Sequence, residues 1–600
     1  MKKNWMALLL CLAMLLAGSA LAETYTSVQQ GFGGEVSVSI TIEDGKMTDV
    51  SVVGEKETIG VGSIAIEKLP GQILEAQSVL VDGVTSATVT STAILAGAKD
   101  CVEQAGLSEQ FSTVVEKAAA STEVARYEAD VVVVGGGMSG MSAALSAANN
   151  GAKVFLMEKL PMTGGNAKSA AGNYMVAELP ENGFQVSDVA DTLDAALARW
   201  KEKEDTGSYR ESIYPDYERL SAMLVETGNT LRSWQEQFGI TYKVANPIED
   251  TGMLILQSEI DGDPNATMAG RLMAHFAEAA TEKGATIMTS TAAHDLIIED
   301  GKVVGVKATG EDGEIEVYGD SVILACGGFL ANPEMVAEIL PEIYSVTSIS
   351  CVGNTGDGIG MAQAAGAQLL EYPWINPCWI APRQDYVTLN PLANVFQENN
   401  SPIEESESSY YRLGVNKNGE RYQNEAGQYA TQLLTLTYGG EHPYYALYDN
   451  LSEKVAEIAE SGIECGAVIK GETLEELAKN AGFDTDTFLA TVARYNEMCA
   501  AGVDEDFGKD AEHLIAVGDQ GPYYLVEMCP AGSDTLSGVK TDAAFRALNA
   551  DGEPIDGLYA VGSMALGIYY NQYYFSGSAL TFSATSGRLA GADAAAKLNQ

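Results

Sequence analysis

At 600 residues the chain exceeds one ordinary folding unit, and a hydrophobic content of 46% is enough to fill three or four cores. Its 83 Asp and Glu against 35 Lys and Arg give a net charge of −48. This argues against nucleic-acid or anionic-membrane binding and reads as a highly soluble, exported acidic surface. Eight cysteines without a C-x-x-C pair, and four histidines in all, argue against attached haem, an iron–sulfur cluster or a His-rich metal site.

Residues 1–22 read as a signal peptide. Met1-Lys2-Lys3 is basic, Trp5 to Leu16 is apolar but short for a membrane span, and Ala20-Leu21-Ala22 is a cleavage site before Glu23. Beyond it, Cys101, Cys326, Cys351, Cys378, Cys465, Cys499 and Cys529 are scattered and are expected as buried free thiols. Residues 23–105 form a small α+β unit: Val36 to Ile42 alternates as a strand, Asp44-Gly45 turns, and Met47 to Val53 returns. A helix-like stretch at Ile64–Lys68 follows. The unit closes with Val81 to Ser91 and a small-residue helix to about Cys101. Residues 106–127 read as a polar linker.

At Val131 to Val134 an apolar β-branched strand runs into Gly135-x-Gly137-x-x-Gly140, with Met138 and Ser139 between the last two glycines. A helix of small residues follows, then a second strand, Ala152 to Met157, ending at Glu158. This is a βαβ unit with an acid about 20 residues on, the dinucleotide fingerprint. The first glycine allows the tight turn, the second lets the backbone approach a pyrophosphate, and the third lets helix pack on strand. Glu158 is placed for ribose hydroxyls. Charged helices are expected over about 187–238, and short strands at 286–288, 295–298, 303–308, 315–318 and 321–325. Asp357 begins another helix, and Gly557 to Gly562 is a final strand before a terminal helix.

These landmarks, in this order, resemble the fumarate reductase/succinate dehydrogenase flavoproteins, in particular the soluble flavocytochrome c and urocanate reductase branch. The resemblance runs from about 129 onward. It is carried by the glycine loop, Glu158-Lys159, Gly164-Gly165-Asn166, Ala325 to Phe329, Thr355 to Gly358, Asn416 to Arg421, Asn424-Glu425 and Gly557 to Gly562. It implies an α/β fold: a Rossmann-like FAD-binding domain with an inserted α+β capping domain, preceded by a small α+β FMN-binding domain. The FAD-binding parts are 128–265, 266–325, 326–345 and 521–600, and the capping domain is 346–520. It further implies non-covalent FAD held by Gly135, Gly137, Met138, Ser139, Gly140, Glu158, Lys159, Gly164, Gly165, Asn166, Ala171, Gly172, Gly327, Gly328, Asp357, Gly562, Ser563, Ser578, Ala579 and Leu580. Ser563 stands where this family often has an acid.

The first unit resembles the FMN-binding domain fused to many such reductases. Its signature, D-x-x-[S/T]-x-A-[S/T], reads Asp82 to Thr88 here, with Ser86 where Gly is usual. The family links FMN to the last Thr through a phosphoester installed by a flavin transferase, so Thr88 is the implied site. An external donor, a membrane redox protein or a soluble carrier, would feed FMN, and FMN would feed FAD.

In the family, hydride from FAD reaches one carbon of an activated C=C bond and a protein acid protonates the other. The four fumarate-handling positions, two Arg and two His, correspond here to Tyr429, Tyr574, Asn376 and Asp534. A dicarboxylate needs charge-assisted donors, so fumarate is not the expected acceptor. Tyrosine phenols suit a neutral carbonyl. Trp374, Trp379, Tyr569, Tyr570, Tyr573, Tyr574 and Phe575 favour a flat, apolar substrate. The expectation is an exported reductase of an enone or enoate, in the periplasm or on the outer cell surface, with Tyr429 as proton donor. The 3-ketosteroid dehydrogenases also carry Tyr at the position of Tyr574, so a dehydrogenase of that type stays open, as does an electron-transfer flavoprotein whose site has decayed.

Overall fold

The computed structural model describes residues 22–31, 34–54, 56–57, 62–84, 87–113, 121–170, 172–186, 192–205, 216–247, 254–262, 266–341, 343, 346–371, 374–382, 413–426, 429–449, 451, 453–463, 466–536, 538–570 and 575–599, with backbone alone at Thr88, Asn376 and Tyr429 among others. Residues 1–21 of the signal-peptide reading, Cys465, Ala171, Tyr573 and Tyr574 lie outside them, and of Cys378 only the backbone is described. Two compact units emerge, one within Met1–Ser121 together with Leu160–Met162 and one comprising Thr122–Lys159 and Thr163–Gln600.

The first unit is an antiparallel sheet of Glu23–Gln30, Glu35–Glu43 and Lys46–Val53, in that order. Alternation on the middle strand sends Val36, Val38, Ile40 and Ile42 inward, where they meet Leu69 and Ile73 of the Gly62–Ala76 helix and Ile94, Ala98 and Cys101 of the Thr88–Gln104 helix. Both helices are longer than the sequence reading: one runs through Pro70, and the other starts at Thr88 rather than after Ser91. The linker reading is corrected at both ends. Ser108–Phe111 is a helical turn whose Phe111 is buried in the first core, and Ser121–Glu128 is a strand.

The second unit is built on a six-stranded sheet in the order Thr286–Met288, Val154–Met157, Val131–Val134, Ser321–Leu324, Pro554–Ala560, Arg546–Leu548. The first five are parallel and the last is antiparallel. Val131–Val134, Val154–Met157 and Ser321–Leu324 are buried at every position, which is why they read as unbroken apolar runs. The Met138–Asn149 helix packs along Ser578–Ala596 at very short range. A Cβ added to Gly587 would sit 2.0 Å from the Ser139 carbonyl, and the Ser142 and Ser146 hydroxyls donate to the carbonyls of Ala584 and Arg588 at 2.7 Å. Side chains larger than Ala or Ser would force these backbones apart.

A four-stranded sheet joins Ala292–Glu299, Lys302–Gly310, Gly313–Tyr318 and Ser121–Glu128. The long strand Tyr523–Leu536, expected as part of the FAD-binding domain, is instead the hub of a sheet whose other strands lie in the segment expected to cap the site. It pairs with Thr347–Ser348, Trp374–Pro382, Tyr444–Asp449 and Val468–Gly471. No helix among the described residues is long and apolar enough to cross a membrane.

Candidate cofactor and substrate site

The three loop glycines do three separate things. Gly135 has φ +103°, and a Cβ there would lie 2.4 Å from the Ala325 carbonyl, so the turn and the neighbouring strand both demand glycine. A Cβ on Gly140 would lie 1.9 Å from the Gly135 carbonyl, so this glycine lets the helix seat on its own loop. A Cβ on Gly137 would meet no atom within 4 Å, and its φ of −76° suits any residue. Glycine at 137 therefore answers to a ligand and not to the fold, and the open approach fits a pyrophosphate at the N-terminus of the Met138–Asn149 helix. Glu158 is buried, and its Oε2 accepts the Gly136 N–H at 2.7 Å, which fixes the acid against the loop.

The other expected cofactor residues gather around the carboxyl ends of the same strands. Gly164 donates its N–H to the Gly136 carbonyl, and Gly165 opens a short 3-10 helix. Asn166 reaches two more segments: its amide donates to the Ser533 carbonyl at 2.8 Å and its oxygen accepts the Cys351 N–H at 2.5 Å. Lys159 donates to Thr355 and to Asp357, both at 2.6 Å, so these two expected contacts hold each other at the start of the Asp357–Ala364 helix. Gly172 is buried against Met268. Gly562 closes on Ser139, whose Oγ would be 2.4 Å from an added Cβ. Ser578 is internal: its N–H and hydroxyl donate to Phe575 O and its hydroxyl accepts from Tyr570. Ala579 and Leu580 are half-buried beside it.

Asn376 and Asp534 were matched from separate parts of the sequence, and the backbone pairs them as opposite residues on adjacent antiparallel strands. Asp534 is buried. Both its oxygens accept the Gly328 N–H (3.2 and 3.3 Å), and Oδ1 accepts the Thr535 N–H at 2.9 Å. Burial pushes this carboxyl up to about 6 despite those donors. Tyr429 is the first residue of the Tyr429–Tyr438 helix.

Three of the seven aromatics read as a substrate wall are packing instead. Phe575 stacks on fully buried Trp200 (3.9 Å between centroids), Tyr570 bonds Ser578, and Tyr569 lies under Arg219 and against Phe582. Trp200 sits on a charged helix and offered no cue to this role.

The sequence reading missed Lys168, in the 3-10 helix after Asn166. Burial draws its ammonium down to about 8, and Cys351 lies near enough to interact with it electrostatically. It also missed the cluster behind Asn424-Glu425. Arg421 bridges Glu425 and Asp504 at 2.8 Å each, lies 5.0 Å from the ring centres of Tyr495 and Phe507, and shares Glu425 with Lys509 at 3.2 Å. All four charged side chains are buried. The Gln432 amide ties the Tyr429–Tyr438 helix to the Glu425 carbonyl at 3.3 Å.

In the first unit, Thr88 opens its helix, so a phosphate carried there lies at a helix N-terminus, which favours an anion. The turn before it is held by Val84 N–H to Ser91 Oγ (3.0 Å), and Thr90 donates to buried Glu57 at 2.5 Å.

Comparison with known proteins agrees with this geometry. The FAD binding domain family matches residues 130–580, and the FMN-binding domain family matches 31–103. The chain is 29% identical to an NADH:acrylate oxidoreductase of Vibrio harveyi, over 95% of this chain and 61% of that protein. It is 26% identical to an NADH:fumarate oxidoreductase of Klebsiella pneumoniae (95% and 58%) and 28% identical to a urocanate reductase of Eggerthella lenta (96% and 92%). The chain thus spans about three-fifths of the length of the first two of these relatives. An open-conformation flavocytochrome c3 fumarate reductase structure shares the fold, with TM-score 0.55, 24% identity and 78% of each chain covered. The chain belongs to the fumarate reductase-like flavoproteins that carry this FAD binding domain, with an FMN-binding domain ahead of it.

Proposed function

We propose that the chain is an exported FMN- and FAD-containing oxidoreductase that saturates a C=C bond conjugated to a carbonyl, on an enone or enoate lacking a second carboxylate. The observation that carries the reading is the pairing of Asn376 with Asp534, which brings two of the four matched positions together next to the Gly327-Gly328 edge of the cofactor cradle. Neither residue is a permanent cation, and Tyr429 and Tyr574 replace the other two charged groups. Bound FAD supplies hydride to the β-carbon. Tyr429 gives a proton to the α-carbon, so that one hydride and one proton complete the CH–CH product. Tyr574 and Asn376 hold the carbonyl oxygen by hydrogen bonds. FMN is carried on Thr88 through a phosphoester made by a flavin transferase, and electrons enter from a membrane redox protein or soluble carrier. The place of action is the periplasm or the outer cell surface.

The test is anaerobic reoxidation of viologen-reduced holoprotein against fumarate, urocanate, cinnamates and 3-keto-4-ene steroids. Turnover with the neutral enones or monocarboxylates and not with fumarate supports the reading. Rapid turnover with fumarate sinks it, because the substrate would then require cationic residues at other positions.

A further inference from the structure

Among the described residues of the first unit, one charged side chain is buried: Glu57, and it lies against the turn that carries Thr88. Thr90, the third residue of the Thr88–Gln104 helix, donates its hydroxyl to Glu57 Oε2 at 2.5 Å, and it is buried too. Three glycines from separate segments close on the same carboxyl. A Cβ on Gly31, after the Glu23–Gln30 strand, would lie 2.3 Å from Oε1. One on Gly62, at the start of the Gly62–Ala76 helix, would lie 2.5 Å from Oε2 and 2.8 Å from Thr90 Oγ1. One on Gly54, after the Lys46–Val53 strand, would lie 3.1 Å from Cγ. The unit gives up three side chains to enclose a charge, where an apolar residue of similar volume would fill the space without a desolvation cost.

The start of the Thr88–Gln104 helix is unusual as well. Its N-cap, Ala87, offers no side-chain acceptor to the first-turn N–H groups, which suits a phosphate carried on Thr88. The turn is held by side chains further in. Ser91 Oγ accepts the Val84 N–H at 3.0 Å, a local bond, whereas the Thr90–Glu57 bond reaches 33 residues back, to the chain between the Lys46–Val53 strand and the Gly62–Ala76 helix. Val89, between Thr88 and Thr90, is 46% exposed, so the turn keeps a face open to solvent.

We propose that Glu57 and Thr90 are positioning residues for flavin attachment: their buried bond fixes the first turn of this helix in the shape that a flavin transferase accepts. The inference rests on the reading that FMN is carried on Thr88. In that transfer the Thr88 hydroxyl oxygen bonds to the FMN phosphorus of FAD, the pyrophosphate bond breaks, AMP leaves and the hydroxyl proton goes to solvent. Glu57 takes no part in these bond changes.

The experiment incubates the full chain with a purified flavin transferase and FAD, and follows the initial rate of attachment by flavin fluorescence in a denaturing gel and by intact mass. Thr90→Val keeps the shape and loses the hydroxyl, and should slow attachment by about tenfold or more. Thr90→Ser keeps the hydroxyl and should stay within about threefold of wild type. Glu57→Leu should slow attachment as Thr90→Val does, and the double variant T90V/E57L no further, because one bond is lost in each case. Ile94→Val is the control for stability: it trims the core of the same helix without touching the bond, and should be modified at the wild-type rate. If Glu57→Leu fails to fold, the Thr90 pair decides. A wild-type rate in Thr90→Val, a Thr90→Ser chain as slow as Thr90→Val, or equal slowing in Ile94→Val overturns the proposal. Wild type that takes no FMN, or Thr88→Ala that still takes it, would instead overturn the Thr88 reading beneath it.

Discussion

Gly137→Ala and Gly140→Ala differ by one methyl group each and should fail in opposite ways. At 140 the new Cβ would start 1.9 Å from the Gly135 carbonyl, where real contacts stay above 3.0 Å, so helix and loop must part by about 1 Å. Overpacking of that kind costs roughly 1–3 kcal/mol of stability, before any cofactor is added. At 137 the Cβ meets nothing within 4 Å, and the backbone is already extended. The gain from a stiffer unfolded chain and the loss of a better N-cap are each within about 1 kcal/mol, so the apo-protein should be near wild type. The methyl instead occupies the pyrophosphate approach. Loss of one or two charge-assisted hydrogen bonds there, at about 1.5–3 kcal/mol each, weakens FAD binding by about tenfold or more. Urea unfolding of the two apo-proteins and FAD titration by fluorescence separate the cases. A Gly137→Ala protein that binds FAD like wild type, or a Gly140→Ala protein as stable as wild type, would refute this division of labour.

Thr88→Ala should abolish flavin fluorescence in a denaturing gel while FAD uptake by the second unit continues. Tyr429→Phe should lower kcat by about 10²–10⁴-fold with FAD content unchanged; a fall of less than threefold would remove it as proton donor. Arg421→Ala should cost about 3–5 kcal/mol by denaturant unfolding, since it strands the buried carboxylates of Glu425 and Asp504; Arg421→Met with both acids made amides should recover part of that loss. Asp534 binds its proton more tightly folded than unfolded, so its contribution to stability is present below about pH 3.8 and is lost as pH rises toward about 6. The stability difference between wild-type and Asp534→Asn apo-proteins should therefore shift by about 3 kcal/mol across that window, and a flat difference would contradict the burial argument.

The parallel sheet was legible in the sequence because its strands are short apolar runs flanked by glycines, and the spacing of Gly135, Gly137 and Gly140 encodes a geometry that few other arrangements need. The region around Tyr523–Leu536 was not legible. Tyr444–Asp449 is buried at all six positions, so it lacks the alternation that marks a half-exposed strand. The pairing of Asn376 with Asp534 spans a stretch of chain that no local pattern can register. Trp200 under Phe575 and Arg421 between Glu425 and Asp504 are likewise long-range or mixed-charge contacts, visible only once the backbone is folded. Tyr569, Tyr570 and Phe575 were misread for a related reason: aromatics that line a site and aromatics that fill a core have the same composition.

The helix that follows the glycine loop is locked to a partner made 442 residues later in synthesis. Until Ser578–Ala596 has left the ribosome, Ser142 and Ser146 lack the carbonyls of Ala584 and Arg588 that they bond, and the helix behind the pyrophosphate loop lacks its partner. High sequence separation of this kind slows folding and exposes apolar strands while the chain waits. The second unit should therefore acquire FAD only as a finished chain, whereas the first unit completes its own core by Phe111 and could fold, and receive its flavin, on a separate schedule.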